Sequence, residues 1–293
     1  MLSKNQPSWV FLNHIFTTSY VNIGRVGRRY VQEVKQRFIF MFVIMLIIPF
    51  IVSAETTEEK EIVGQTIKYF RTDTIINNSS VMRSANMGEL SSITVEVTKE
   101  EFDSAEPTTE PVGPITGNER AVQTETTYKR LTTTISREAT YYNYEANLYW
   151  KNIPKVRSYD IISIGHYNDV ELYDNTMVGF NMNYCRSTYD CYTSATGTDV
   201  ITQYGTAVVF SLPTSTIISL EQTLDFTVKK AVSWTITEQI AAGDYAHATK
   251  TVSSRVAANN ITPNITGLFI DPDIEDEYYD TTPAAIVEWN GSW

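Results

Sequence analysis

The feature that most constrains this chain is a period-two alternation. From Tyr141 to Lys151, residues Tyr142, Tyr144, Ala146, Leu148 and Trp150 fall on one side, and Asn143, Glu145, Asn147 and Lys151 on the other. Successive side chains of a strand point to opposite faces, so the pattern predicts a β-strand with one packed and one wet face. Val178, Phe180, Met182 and Tyr184 repeat it against Gly179, Asn181 and Asn183. Leu224, Phe226 and Val228 do so against Asp225, Thr227 and Lys229, and the alternation runs on through Val232, Trp234 and Ile236. Ile161-Ile162 and Ala207-Val208-Val209-Phe210 are continuous apolar runs that predict central strands, and Ala284 to Trp289 predicts a closing one. Ala242-Gly243-Asp244 reads as a hairpin turn between Trp234–Ala241 and Tyr245–Val256. No three- and four-residue apolar spacing is sustained after residue 128. The fold class this predicts is all-β: an antiparallel β-sandwich C-terminal domain over residues 128–293, folding independently. Its expected core holds Tyr142, Tyr144, Leu148, Trp150, Phe180, Met182, Leu224, Phe226 and Trp234.

Upstream, a different grammar applies. Phe38 to Val52 is uncharged and apolar, Lys35 and Arg37 precede it, and Val52-Ser53-Ala54 follows. Basic, then apolar, then small is the secretory-signal order, so residues 1–54 read as leader and signal peptide, cut between Ala54 and Glu55. The run is shorter than the ~20 residues of a spanning helix; retention as an anchor is the competing reading. Val34-Lys35-Gln36-Arg37 ahead of the run has the form of a complete short signal whose start codon was read as valine. Residues 1–33 would then lie upstream of the true start; a genuine long leader is the alternative. The leader holds six Lys or Arg and one Glu, so its removal leaves a chain more acidic than the formal −11 of the whole sequence. Such a chain is disfavoured on nucleic acid, whose phosphates demand Lys and Arg, and membrane contact is expected only during export unless the signal is retained.

Residues 55–103 read as a small mixed segment. Glu59 to Phe70 reads as a short helix and Ile93 to Val97 as a strand; Thr98-Lys99-Glu100-Glu101 has capping-box spacing for a brief helix. Pro107, Pro111 and Pro114 among Thr, Glu and Gly mark residues 104–127 as a linker. Thr126-Thr127-Tyr128-Lys129-Arg130-Leu131-Thr132-Thr133-Thr134-Ile135-Ser136 and Leu148-Tyr149-Trp150-Lys151-Asn152-Ile153-Pro154-Lys155-Val156-Arg157-Ser158-Tyr159-Asp160 resemble segments of uncharacterised secreted proteins of Gram-positive bacteria. The resemblance covers roughly residues 90–170. It implies a bacterial, secreted origin, and no activity or site residue comes with it.

Chemistry-bearing residues are few. Cys185 and Cys191 flank five residues just after an alternating strand; in an exported chain they are expected to pair and close a hairpin. A redox pair would be spaced by two residues and flanked by a cation. His166 and His247 follow strand parity, with no Gly-x-Ser-x-Gly elbow or His-Glu-x-x-His motif in the sequence, and read as part-buried strand residues. Asp271, Asp273 and Glu275 alternate as calcium ligands often do, but Asp276 stands where an EF-hand needs Gly and Thr282 where it needs Glu, so a solvated acidic loop is the leading reading and calcium the other. No other cofactor is expected. Tyr141 and Tyr149 lie on the wet face of their strand, where aromatic rings can stack on sugars or fill an interface. These features favour a secreted, non-catalytic β-sandwich that binds a surface glycan or protein. A β-pore-forming or bacteriocin-like protein is the alternative, on the length of the alternation from Leu224 to Ile236. A secreted hydrolase is a third reading, with no residues to assign.

Overall fold

The computed structural model describes residues 60–77, 91–114, 122–138, 140–174 and 178–293. The expected leader, its apolar run and the cleavage pair Ala54 and Glu55 lie outside them. In chain order the elements are β1 (Glu61–Asn77), β2 (Ser91–Val97), α1 (Lys99–Ser104), β3 (Val122–Glu138), β4 (Tyr141–Trp150), β5 (Tyr159–His166), β6 (Val170–Leu172), β7 (Val178–Ser187) and β8 (Asp190–Ser194). There follow β9 (Thr198–Thr202), β10 (Gly205–Ser211), β11 (Ser219–Lys230), β12 (Glu238–Ala248), α2 (Ser254–Asn259), β13 (Ile261–Asn264), β14 (Gly267–Ile270), α3 (Pro272–Tyr278), β15 (Tyr279–Thr281) and β16 (Ala285–Asn290).

Two antiparallel sheets pack as a sandwich. The larger has the order β2-β1-β3-β4-β11-β7-β8, with β6 beside β11; the smaller has β15-β12-β5-β10-β9, with β16 beside β12. The alternating strands supply the larger sheet's buried face. Leu131, Tyr142, Tyr144, Leu148, Trp150, Phe180, Met182, Leu224 and Phe226 meet Ile162, Ile164, Val208, Phe210 and Tyr245 of the smaller sheet in one core. The smaller sheet is buried on its other face too. There Ile161, Ala207, Val209, Ala246 and Ala248 pack with Val252, Ala257 of α2, and Ile261 and Ile270 of the β13–β14 hairpin. Burial on both sides is why β5 and β10 read as continuous apolar runs rather than alternations.

The structure departs from sequence expectation in several places. Residues 61–77 form a strand, not a helix: β1 pairs with β3 along its length and with β2 on its other edge. Ile62, Val63, Thr66, Ile67 and Tyr69 are residues that favour strands, and Gly64 weakens any helix there. Phe70 is fully buried in the central core, and β3 begins at Val122, inside the stretch read as linker. Residues 60–293 thus form one compact unit across the described segments. Ala242-Gly243-Asp244 is no turn but the middle of β12, between β5 and β16. Gly243 is required by close packing of the sheets, since a Cβ there would lie 2.1 Å from Thr133 Oγ1. β11 stops at Lys230, so Trp234 is 63% exposed and outside the core, although Ile236 is buried. Helix α1 starts as its spacing predicts, with Thr98 Oγ1 accepting from the Glu101 N–H at 3.2 Å.

Candidate functional site

The wet face of the larger sheet carries a continuous polar row. Backbone register places Tyr69, Arg130, Tyr149, Glu221, Asn183 and Thr193 side by side across β1, β3, β4, β11, β7 and β8. The Arg130 guanidinium lies 5.3 Å from the centre of the Tyr149 ring. Asn147 Nδ2 donates to Glu221 Oε1 at 2.9 Å, and Thr193 Oγ1 donates to Asn183 Oδ1 at 2.7 Å. A cavity of about 340 Å³ opens here, lined by Tyr149, Asn183, Thr193, Ser219, Glu221 and the Cys185–Cys191 disulfide.

The disulfide ties β7 to β8 where their register slips between Cys185 and Ser187. Tyr184 and Tyr192, opposite one another in this hairpin, stack with ring centres 5.5 Å apart. Arg186 covers Tyr192 at 4.6 Å and its Nη1 lies 3.3 Å from the Tyr192 hydroxyl. A second cavity of about 290 Å³ is bounded by Met182, Tyr184, Arg186 and the 211–215 turn. Tyr189, at the hairpin tip, is 98% exposed. The hairpin therefore displays Tyr189 and Tyr192, while Tyr184 packs against the core, and a concavity lies on each flank.

Of the residues singled out from sequence, Tyr149 lies in this patch and Tyr141 does not. They share a face but sit at opposite ends of β4, ~27 Å apart by strand rise. Tyr141 instead pairs with Tyr173, hydroxyl to hydroxyl at 3.1 Å. Asp271 caps α3, accepting from the Asp273 N–H at 3.1 Å, and Glu275 Oε1 accepts from Thr281 Oγ1 at 2.9 Å. Alternate residues diverge around a helix, so the acidic spacing that would converge in an extended loop does not converge here. Among the described residues no group of three or more His, Cys, Asp or Glu is placed to hold a metal ion.

Both histidines are buried. His166 packs on Tyr144 and Phe226, and burial lowers its pKa. His247 Nδ1 lies 2.9 Å from Asp160 Oδ2, and the crevice beside it holds about 10 Å³, near the room one water needs.

That His–Asp pair belongs to a polar cluster between the sheets which the sequence reading missed. Asp160 Oδ2 also accepts from the Tyr245 hydroxyl, and its Oδ1 from the Ala248 N–H at 2.9 Å. Lys129, fully buried, faces it from the other sheet, with Nζ 5.2 Å from the Trp150 ring centre and 5.5 Å from that of Tyr245. The nearest acid, Asp280, has Oδ2 at 3.6 Å from Nζ. Burial pulls the Lys129 amine below the usual lysine range, against the opposing pull of Asp280 and Asp160. On the other face of β12, toward the β13–β14 hairpin, Asp244 Oδ1 accepts from the Tyr245 N–H and Thr282 Oγ1, and its Oδ2 from the Leu268 N–H; burial still raises its pKa to about 7. Strand parity is the signal that could have found this cluster. Lys129 shares the side of Leu131 and Ile135, and Asp160 that of Ile162 and Ile164.

No protein-family model and no curated protein matches the chain. Among solved structures, it is similar to the collagen-binding domain of the Erysipelothrix rhusiopathiae surface protein RspB, at 8% identity and a TM-score of 0.27, over 57% of this chain and 66% of that one. It is also similar to a structure concerning pH-induced modulation of Streptococcus parasanguinis adhesion by Fap1 fimbriae, at 10% identity and a TM-score of 0.22, over 66% of this chain and 92% of that one. The chain thus spans just under two thirds of the first neighbour's length. With both TM-scores below 0.5, neither likeness bears on what this chain binds or does.

Proposed function

We propose that this is an exported binding protein whose β7–β8 hairpin and adjoining outer face take a surface glycan. The observation that carries the reading is the concavity lined by Tyr149, Asn183, Glu221 and the exposed Tyr192, which stacks on the half-buried Tyr184. Aromatic rings offer flat apolar faces to sugar C–H groups, while amide and carboxylate side chains accept or donate to hydroxyls. The disulfide fixes the platform and is of a kind that persists in oxidising compartments, which supports export. The formal charge of −11 favours a neutral or basic glycan over an anionic polymer.

The test is a pull-down of the full chain on isolated cell-wall and surface polysaccharides, followed by competition with free oligosaccharides. Retention released by a soluble sugar, and weakened at least tenfold in Tyr192→Ala or Glu221→Gln, is the expected result, since one hydrogen bond or stacking contact is worth about 1.4 kcal/mol or more when desolvated. Retention only on a protein ligand, or equal binding by both variants, would overturn the reading.

A further inference from the structure

We propose that Lys129 and Asp280 join through an intramolecular isopeptide bond that staples the two sheets together. Lys129 lies on β3 of the larger sheet, and Asp280 on β15 of the smaller. The side chains are 0% and 7% exposed, and Nζ and Oδ2 are 3.6 Å apart. Among the described residues Lys129 is the only buried lysine, and no hydrogen bond reaches its Nζ.

An ammonium carries three donors, and a buried ion pair is tolerable only when such donors are satisfied. Here the surroundings are the faces of Trp150 and Tyr245 and a carboxylate just beyond hydrogen-bond reach. Burial among these rings favours the neutral Lys129 amine, and that is the form whose lone pair can attack a carboxyl carbon. Two hydroxyls hold the acid in place: Thr72 Oγ1 donates to Asp280 Oδ2 at 3.3 Å, and Thr94 Oγ1 donates to the same oxygen. Donors aimed at that oxygen stabilise the charge it gains as the carbonyl is attacked. The side chains are also already in near-contact, so little orientational entropy remains to be lost.

The step balances without a cofactor or oxidant. The Nζ lone pair bonds to Asp280 Cγ and the bond from Cγ to Oδ1 breaks. That oxygen leaves as water with two of the three protons the pair shares, and the third stays on the amide nitrogen. Oδ2 remains as the amide carbonyl, still held by Thr72 and Thr94. Asp160, pinned by Tyr245, His247 and the Ala248 N–H, faces the pair from the smaller sheet, and its charge pulls Lys129 toward the ammonium, so burial must outweigh it. The product replaces a poorly served ion pair with a neutral amide and closes a covalent loop around most of the sandwich.

Mass spectrometry of the full chain tests this, with Lys129→Arg and Asp280→Ala as controls. The wild-type protein should be lighter than its processed sequence by one water, beyond the change due to the disulfide, and both variants should keep that water. A protease digest should yield one branched peptide joining Lys129 to Asp280, a readout independent of where the N-terminus begins and of whether the variants fold. Folded wild-type protein at its full mass, or water lost from any other pair, would overturn the proposal.

Discussion

Asp244 is the residue at which pH should be felt. Burial raises its folded-state pKa to about 7, whereas an unfolded aspartate titrates near ~3.9. The folded chain therefore holds a proton that the unfolded chain releases across that window. Its contribution to stability is fully present below the unfolded value and is lost as pH rises through about 7. Glu125, also raised by burial, adds in the same direction. The buried His166, whose pKa is lowered, opposes this trend, so the assignment rests on a comparison: between pH ~4 and ~7 the wild-type chain should lose stability to denaturant relative to Asp244→Asn as pH rises. An identical pH slope in the two proteins would contradict this assignment. At the same scale, parity marks Lys129 and Asp160 as inward-facing, so their burial was legible. Their meeting was not: it depends on how β3 and β5, in different sheets, come to face each other. Tyr149 was legible as outward, but its neighbours Glu221 and Asn183 follow from inter-strand register, which spacing along one chain does not encode.

At the scale of elements, alternation gave β4, β7 and β11, and the continuous runs gave β5 and β10. The failures have local causes. β1 was misread because its Ile, Val and Tyr fit an amphipathic helix as well as a strand until the partner strand β3 is known. The small residues of β12 imitate a turn, but they are small because the sheets approach closely. The course of β1 makes a definite prediction for the chain cut before Tyr128. Such a chain lacks the neighbour of β3, the buried Phe70, and the Thr72 and Thr94 hydroxyls that reach Asp280. Removing one buried phenylalanine alone costs about 3–5 kcal/mol, a large share of the ~5–15 kcal/mol that holds a domain together. The truncated chain should show a lower unfolding midpoint, or none, by circular dichroism. A midpoint equal to that of the longer chain would show β1 to be dispensable.

At the scale of the whole molecule, the larger sheet has one packed face and one exposed face, and the proposed binding surface lies on the second. Its inner face meets the smaller sheet, and its outer face, extended by the disulfide-closed β7–β8 hairpin, is open to solvent. Adjacent residues on one strand sample the two roles. Trp150 is 1% exposed and sits at the centre of the core beside Tyr245 and His247. Tyr149 is partly exposed beneath Arg130. The most direct test is equilibrium unfolding of Trp150→Ala and Tyr149→Ala side by side. The first should lose about 3–5 kcal/mol through the cavity it leaves. The second should lose about 1 kcal/mol or less, the worth of an exposed cation–aromatic contact. If Tyr149→Ala proves the more destabilising of the two, the faces are reversed and the division between core and binding surface fails.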